Sequence, residues 1–343
     1  MKNKLWIIIF FNILIFFGGI SAALYFRPYQ LSIAAIMKNE KPYLKEWIEY
    51  HRLQGVEHFY LCDNDSTDGT KKYLEPYIKN GLITYIPMPG INQQLACYEK
   101  IVAEYKNKTK WLAIIDLDEF LVPLKARNMQ AFLREFKDAS EVSLHWMNYG
   151  DSNAISRPNG LVTEFFTSHG KYLNHTVKSI VRPKDVIDFK AFGSNHYVKV
   201  KGKSVNENHQ PVSNMLNMNI SGDKARVNHY ILKTYAEFLH KKSRGHPEGT
   251  PINYGYYFFH NENDVKGDTS MARFLPQLKA RMQKSPLADV DLPKVENLPQ
   301  SFDDLYFTAA EASQILDKEI TAPMNFYAVE NAYKNNYPTY QKK

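Results

Sequence analysis

Strand-like and helix-like segments alternate regularly along the first part of this 343-residue chain, and that alternation restricts the folds open to it. An apolar run at residues 31–37 precedes a segment whose apolar side chains recur at helical spacing, which Pro42 opens and Gly55 ends. The pattern continues with strands at residues 56–61, 82–87 and 110–115 and helices at 70–79 and 93–105. Strands that alternate with helices predict an α/β fold, in which helices cover both faces of a parallel sheet.

Polar loops follow three of the predicted strands. The first strand ends just before Asn39, the second runs into the turn-forming residues 63–70, and the strand at 110–115 ends in a pair of acids. Open parallel sheets bind ligands outside the carboxyl ends of their strands. We therefore expect these three loops to line one crevice.

The acid pair is Asp116-Leu117-Asp118, an Asp-x-Asp (DXD) motif directly after an apolar strand. Such pairs are common in solvated turns, but unpaired carboxylates beside a buried strand are costly without a cation or hydrogen bonds. Carboxylate oxygens suit a hard divalent cation. A cation held there would bridge the phosphates of a nucleotide diphosphate and neutralise the charge on a leaving group.

The second half of the chain is less regular. Short strand-like runs and two helical segments are separated by many turn residues. We expect this half to extend the sheet and to build the side of the crevice that receives a second substrate, the acceptor. The strand-like runs are residues 142–146, 160–166, 179–182 and 197–200, and the helical segments are 235–242 and 309–318. The Lys- and Pro-rich residues 266–299 are typical of surface excursions.

The N-terminus carries an apolar segment at residues 5–26, long enough to cross a bilayer. We interpret residues 1–27 as a cytoplasmic stub and a single transmembrane signal anchor, with Lys2 and Lys4 favouring a cytoplasmic N-terminus. A cleaved signal peptide with its cleavage site at residues 21–23 is the alternative. The expected location is a membrane, as a type II protein of the Golgi in a eukaryote or of the inner membrane in a bacterium.

The net charge limits the kinds of ligand that we expect, and the cysteine content bears on disulfide formation. With 43 Lys plus Arg against 36 Asp plus Glu, the net charge of +7 favours anionic ligands such as nucleotide diphosphates or lipid headgroups. No zinc-finger spacing, RNA-binding signature or long lysine run accompanies it, so no nucleic-acid partner is expected. Cys62 and Cys97 show no short-range pairing pattern, and we expect two unpaired, small apolar side chains, with a disulfide left open.

Several motifs resemble glycosyltransferase family 92, a group of enzymes with the GT-A fold. The most specific ones lie between residues 31 and 125, and looser ones follow. They are KNEKPYLKEWIEYH (38–51), GV (55–56), DNDSTD (63–68), WLAIIDLDEFLVP (111–123), WMNYG (146–150), KSIVRP (178–183), NHYILK (228–233) and RG (244–245).

The resemblance implies one GT-A (Rossmann-like) domain at residues 28–343, with a mixed sheet flanked by helices. Its nucleotide-binding part would span about 31–125, its acceptor-side part about 140–265 and a C-terminal helical extension about 266–343. It further implies a nucleotide-sugar donor, UDP-linked with galactose as a known sugar, Mn²⁺ or Mg²⁺ as cofactor, and inversion at the anomeric carbon. The acceptor would be a glycan or glycolipid.

Functional residues carry over where the motifs match. Asp116 and Asp118 match the metal-binding DXD, and a late histidine, His229, is the expected third metal ligand, although it could equally be a structural core residue. The residues expected to bind the nucleotide sugar are Asn39, Glu40, Asp63, Asn64, Gln94 and Asp116. Asp65 competes with Asp63 and Asn64 for the uracil, and helix capping or exposed loop polarity is the structural alternative for these positions.

Inverting transfer also needs a carboxylate that takes the proton of the acceptor hydroxyl. Glu207 and Asp151 compete for that role because both lie in the acceptor-side half. Lys178, Lys233 and Arg244 are candidates to hold diphosphate oxygens.

The leading function is therefore a metal-dependent hexosyltransferase tethered to a membrane. A catalytically inactive GT-A domain that binds glycans at the membrane is the alternative from another class. A nucleotidyltransferase is a second rival, but the sequence has no Gly-rich phosphate loop to favour it.

Overall fold

The computed structural model describes residues 27–189, 196–246 and 249–337. The expected transmembrane helix at residues 5–26 lies outside the described residues. Within the described ranges, none of the helices combines the length and the apolar character that a membrane span requires.

The strands of the described part form one large mixed sheet and two small two-stranded sheets. The strands are β1 (Tyr29–Met37), β2 (His58–Asp63), β3 (Ile83–Pro87), β4 (Thr109–Ile114), β5 (Glu119–Pro123), β6 (Ala139–Asn148), β7 (Val177–Val181), β8 (Val186–Asp188), β9 (Lys199–Val200), β10 (Lys203–Asn206), β11 (Ala225–His229), β12 (Tyr306–Phe307) and β13 (Met324–Asn325). The large sheet has the order β3-β2-β1-β4-β7-β6-β11-β5, and β10 pairs with β6.

The first half of this sheet is parallel, as the alternation of strands and helices predicted. β1 pairs in parallel with both β2 and β4, and β2 pairs in parallel with β3. Beyond β4 the sheet becomes mixed, because β7 runs antiparallel to β4 and β6, while β11 is parallel to β6 and antiparallel to β5. The expectation of a mixed sheet flanked by helices is confirmed.

Helices cover the sheet and form most of the C-terminal part. They are α1 (Lys41–Leu53), α2 (Thr70–Lys79), α3 (Gln93–Tyr105), α4 (Met129–Phe132), α5 (Val162–Phe165), α6 (Tyr235–Arg244), α7 (Tyr254–His260), α8 (Leu275–Lys284), α9 (Ala309–Leu316) and α10 (Phe326–Asn336). Helix α1 has a proline in its first turn, and Gly55 follows it with a φ of +90°, a conformation that glycine adopts without strain.

Helix α1 is fixed to the sheet by buried hydrogen bonds. Trp47 Nε1 donates to the carbonyl of Glu119 at 2.9 Å, and the Tyr50 hydroxyl donates to the carbonyl of Leu121 at 2.9 Å. Both side chains are completely buried in the main core. Strand β5, which follows the DXD motif directly, is thereby held in place.

Two predicted elements differ in the structure. Residues 160–166, predicted as a strand, contain helix α5, whose first backbone N–H groups donate to the buried Glu46 carboxylate at 2.7 and 2.9 Å. Residues 266–299, predicted as surface excursions, contain α8, and Phe274 and Leu278 are buried against the main core beside α1. In both places a distant partner supplies the stabilising contact, which local sequence does not reveal.

The two cysteines form a disulfide, so the expectation of unpaired side chains is wrong. Cys62 lies near the carboxyl end of β2 and Cys97 on α3, with their Cα atoms 6.2 Å apart. Parallel pairing brings the end of β2 beside the helix that leads into β4, and this proximity is a consequence of topology. The disulfide therefore attaches α3 to the sheet close to the predicted crevice.

The C-terminal helices pack around a second core. Tyr235 and Phe238 of α6 contact Tyr257 of α7, and Phe258 contacts Phe326 of α10. This aromatic cluster is separate from the core beneath the sheet. Helix α6 thus has the sheet loops on one side and the C-terminal helices on the other.

Candidate active site

A pocket of about 300 Å³ lies at the carboxyl ends of β1, β2 and β4, where the polar loops were expected to converge. It brings together residues from eight separate parts of the chain, between residues 36 and 256. The predicted residues that line it are Glu40, Asn64, Gln94, Asp116, Asp118, His229 and Arg244.

His229 meets Asp118 because of strand pairing. In the antiparallel pairing of β11 with β5, His229 lies opposite Glu119, the residue after Asp118. As a result His229 Nε2 lies 3.6 Å from Asp118 Oδ1. Burial lowers the pKa of His229, so its ring is neutral near pH 7.

A lysine approaches the other oxygen of Asp118. Lys241 Nζ donates to Asp118 Oδ2 at 2.9 Å and to the carbonyl of Ile231 at 2.7 Å. Burial alone would raise the pKa of Asp118, but Lys241 and His229 outweigh it and hold the pKa well below its usual range. Asp118 is therefore ionised at neutral pH.

Asp116 is held by different partners. Gln94 Nε2 donates to its Oδ1 at 3.1 Å, and Lys178 Nζ donates to its Oδ2 at 2.6 Å. Burial would lower the pKa of Lys178, but the carboxylates of Asp116 and Glu119 outweigh it and raise the pKa, so this buried lysine stays charged. Lys178 lies beneath the pocket and fixes the direction of the Asp116 side chain.

The donors around Asp118 fit a divalent cation in part. Metal bonds to oxygen or nitrogen of about 2.0–2.2 Å can bridge two ligand atoms that are separated like Asp118 Oδ1 and His229 Nε2. Among the residues that the structure describes, however, no group of three or more His, Cys, Asp or Glu side chains is arranged to hold a metal ion. The remaining ligands would be water or oxygens of a bound diphosphate.

A second cavity of about 370 Å³ adjoins the pocket and shares Asn64 and Arg244 with it. Asn64 Nδ2 donates to the carbonyls of Met88 and Gly90 at 2.8 and 2.6 Å, and Asp65 accepts from the Gly90 N–H at 2.8 Å. Arg244 forms an ion pair with Glu40 and donates to the carbonyl of Lys38 at 2.6 Å. These contacts join the loops after β1, β2 and β3 to the end of α6.

Two of the predicted nucleotide-binding residues do not line the pocket. Asp63 accepts hydrogen bonds from the Tyr85 hydroxyl and the Ser66 N–H. Asn39, with a φ of +53°, donates its N–H to Ser66 Oγ and accepts from the Thr67 N–H at 2.7 Å. Both side chains shape the loop after β2, and their direct contact with the nucleotide stays a prediction.

The structure does not bring the two candidate bases to the pocket. The carboxylate of Glu207 accepts the backbone N–H groups of residues 223–225, and its relative exposure is 0%. Asp151 is equally buried and accepts from the Tyr257 hydroxyl and from Asn263 Nδ2 at 2.7 Å. These carboxylates stabilise loops, a role that depends on long-range contacts and has no signature in the sequence.

Several residues that line the pocket were not predicted from the sequence as site residues. Lys241 lies on α6, Tyr256 on α7 and Trp146 on β6. The Tyr256 and Trp146 rings each lie beside a lysine ammonium group. Lys233 was a candidate, but it lies over the Tyr43 ring at 4.3 Å and lines a separate small cavity. The only sequence signal for Lys241 was a run of basic residues in the last turn of a predicted helix.

Comparisons with known proteins agree with the motifs. The model of the family "Glycosyltransferase family 92" matches residues 27–246. A glycosyltransferase family 92 protein of Ricinus communis is 26% identical over 225 residues, which cover 62% of this chain and 37% of that protein. One of Oryza sativa subsp. japonica is 24% identical and covers 63% of this chain and 36% of that protein. The chain thus spans little more than a third of the length of these relatives.

Among solved structures, residues 1–349 of S. aureus TarS in complex with UDP match with a TM-score of 0.30 and 14% identity. That match covers 45% of this chain and 47% of the TarS 1–349 chain. A glucosyl-3-phosphoglycerate synthase of Mycobacterium tuberculosis in complex with Mn²⁺ and UDP matches with a TM-score of 0.23 and 15% identity. It covers 34% of this chain and 44% of the synthase.

Proposed function

This chain belongs to glycosyltransferase family 92, and on that premise we propose that it is a metal-dependent glycosyltransferase with a GT-A domain. It transfers a sugar, with galactose as one option, from a UDP-linked donor to a glycan or glycolipid acceptor. The configuration at the anomeric carbon is inverted. The ion is Mn²⁺ or Mg²⁺.

The main observation behind this proposal is that acidic and basic side chains meet in one pocket. Asp116, Asp118 and His229 lie beside Lys241 and Arg244 at the carboxyl ends of parallel strands. This arrangement of acidic and basic side chains suits a ligand that is itself negatively charged and that binds together with a cation. A nucleoside diphosphate with a divalent ion has that composition.

Each part of the pocket has a role in this proposal. Asn64 and Asp65 border the cavity that would receive the nucleoside, and Arg244 and Lys241 line the pocket where they would face the diphosphate. Asp118 and His229 would hold the ion, which when bound supplies positive charge to the phosphate oxygens. Gln94 and Lys178 keep Asp116 directed into the pocket.

The reaction is a single displacement. The acceptor oxygen forms a bond to the anomeric carbon as the bond from that carbon to the diphosphate oxygen breaks, and the electron pair leaves with the diphosphate. The proton of the acceptor hydroxyl passes to a base. Lys241 and Arg244 stabilise the charge that develops on the leaving diphosphate.

The test is a donor screen with the purified full chain and Mn²⁺, in which release of UDP and transfer to added glycans are measured. We expect turnover that is lost on chelation and reduced at least about a hundredfold in Asp118→Asn. The control Glu104→Gln removes an exposed carboxylate outside the pocket and should retain full turnover.

Turnover of Asp118→Asn at the wild-type rate would refute the catalytic proposal. Glycan binding without donor consumption, unaffected by the metal, would instead favour the inactive glycan-binding domain.

We further propose that residues 5–26 anchor the enzyme in a membrane as a single span with the N-terminus in the cytoplasm. Membranes washed with alkaline carbonate should retain the full chain. Release of the chain into the wash, or a mature N-terminus near residue 23, would contradict the anchor.

A further inference from the structure

We propose that a groove beside the pocket binds the acceptor as a neutral oligosaccharide, an inference that rests on the proposed function. The groove has a volume of about 700 Å³, within the range of roughly 300–1,000 Å³ typical of small-molecule sites. It is formed by the end of α6, by α7 and by one side each of α9 and α10. Most of its lining comes from residues 251–337, beyond the part of the chain that the family model matches.

The groove is continuous with the pocket. His246, Ile252 and Tyr256 line both of them. Lys241 Nζ lies 5.8 Å from the centre of the Tyr256 ring and 2.9 Å from Asp118 Oδ2. A saccharide that lies along the groove can therefore place one hydroxyl at the donor site while the rest of the chain stays in the groove.

Aromatic rings form much of the groove wall. Phe259 is 38% exposed and Tyr337 is 40% exposed, although large aromatic side chains are usually buried in this protein. Tyr333 packs against Tyr337 with ring centres 4.8 Å apart and ring planes tilted by 38°. A pyranose has an apolar C–H face and a rim of hydroxyls, so it matches rings that alternate with polar groups.

Charge in the groove favours a neutral ligand. Of the described residues that line it, the side chains with a full charge are Lys242, Glu311 and Asp317, and no arginine is among them. Lys242 lies over the Tyr254 ring at 4.8 Å. Anionic glycans and phosphorylated lipids are usually bound by arginine clusters. The polar contacts here suit hydroxyl groups, with the exposed Gln314 at the rim.

The experiment uses the full chain in detergent on a printed array of neutral and acidic oligosaccharides, followed by titration calorimetry with the neutral glycan that is best retained. We expect retention of neutral glycans and an affinity about twofold to tenfold weaker in Phe259→Ala, which loses one stacking ring. Gln314→Trp, which fills the groove from an exposed position without removing a buried contact, should weaken retention further.

Tyr306→Ala is the matched control, because Tyr306 is 62% exposed in the same C-terminal segment and does not line the groove. It should bind as the wild type does. Retention of acidic glycans in place of neutral ones, retention of none, or wild-type affinity in both groove variants would overturn the inference.

Release of UDP by the wild type from a panel of UDP-sugars, with Mn²⁺ and the neutral and acidic glycans added as acceptors, is measured in parallel. A protein that consumes no donor contradicts the proposed function. A protein that consumes donor while both groove variants bind glycan normally contradicts the groove alone.

Discussion

Lys241 shows how much of the site depends on a contact between residues that are distant in sequence. Its Nζ bonds Asp118, which lies 123 residues earlier in the chain. The DXD motif could be predicted because its two acids are adjacent to one buried strand, whereas nothing in the sequence indicates which lysine would reach them. The same reason explains Glu207 and Asp151, whose backbone and side-chain partners become visible only in the folded chain.

We predict that Lys241→Met weakens donor binding. The methionine keeps the length of the side chain but removes the charge that faces the diphosphate, and a hydrogen bond to a charged group contributes roughly 1.5–3 kcal/mol. The KM for the donor should rise about tenfold or more. Lys100→Met, which removes an exposed lysine from α3, is the control and should leave the KM unchanged. An unaltered KM in Lys241→Met would show that this lysine does not contact the donor.

The buried His51 should make the stability of the folded protein depend on pH. Burial lowers the pKa of His51 to about 3, below the value near 6.5 of an unfolded histidine. Between these values the unfolded chain binds a proton that the folded protein excludes, so stability falls as the pH falls from 6.5. One such residue contributes up to about 1.4 kcal/mol per pH unit.

Urea unfolding at several pH values measures this slope. His51→Gln keeps a donor for the Trp47 carbonyl and an acceptor for the Leu121 N–H, and it should reduce the slope. Ile48→Val should lower stability by about 0.5–1.5 kcal/mol without changing the slope. Equal slopes in His51→Gln and the wild type would contradict the assignment.

Among the elements, those of the parallel half were predictable because the strands are continuous apolar runs, the helices have apolar residues at helical spacing, and turn residues separate them. Helices α2 and α3 have the predicted limits, 70–79 and 93–105. Helix α5 was predicted as a strand because its N-terminus is satisfied by Glu46, a residue of another helix. Helix α8 was missed for a similar reason, since its apolar side is short and gains its burial from α1.

The disulfide gives a prediction at this scale. Cys62 and Cys97 enclose a loop with a sequence separation of 35 residues, and closing such a loop in the unfolded chain contributes roughly 3–4 kcal/mol to stability. Reduction should lower the free energy of unfolding by that amount. It should also raise the KM for the donor, because α3 carries Gln94 to Asp116.

Urea titrations with and without reductant test this expectation. The double variant Cys62→Ala/Cys97→Ala should match the reduced wild type and should not respond to reductant. Two free thiols in the denatured, unreduced wild type would contradict the disulfide.

For the molecule as a whole, the residues that the family model matches are only part of the described structure. The acids, His229 and the pocket cations all lie within residues 27–246, which the family model matches. The segment from residue 251 onward supplies most of the second core and most of the groove lining. Residues 27–246 could be predicted from the sequence because they carry the family motifs. The segment from residue 251 onward has no such motif and is held mainly by aromatic contacts.

We propose that Asp116 and Asp118 act together with a divalent cation to bind a nucleoside diphosphate. The most direct test is titration calorimetry of UDP into the purified full chain, with Mn²⁺ present and then with the ion removed by chelator. We expect the affinity for UDP to fall at least about a hundredfold on chelation, and to a similar extent in Asp116→Asn/Asp118→Asn with Mn²⁺ present. UDP binding of unchanged affinity under both conditions would contradict it.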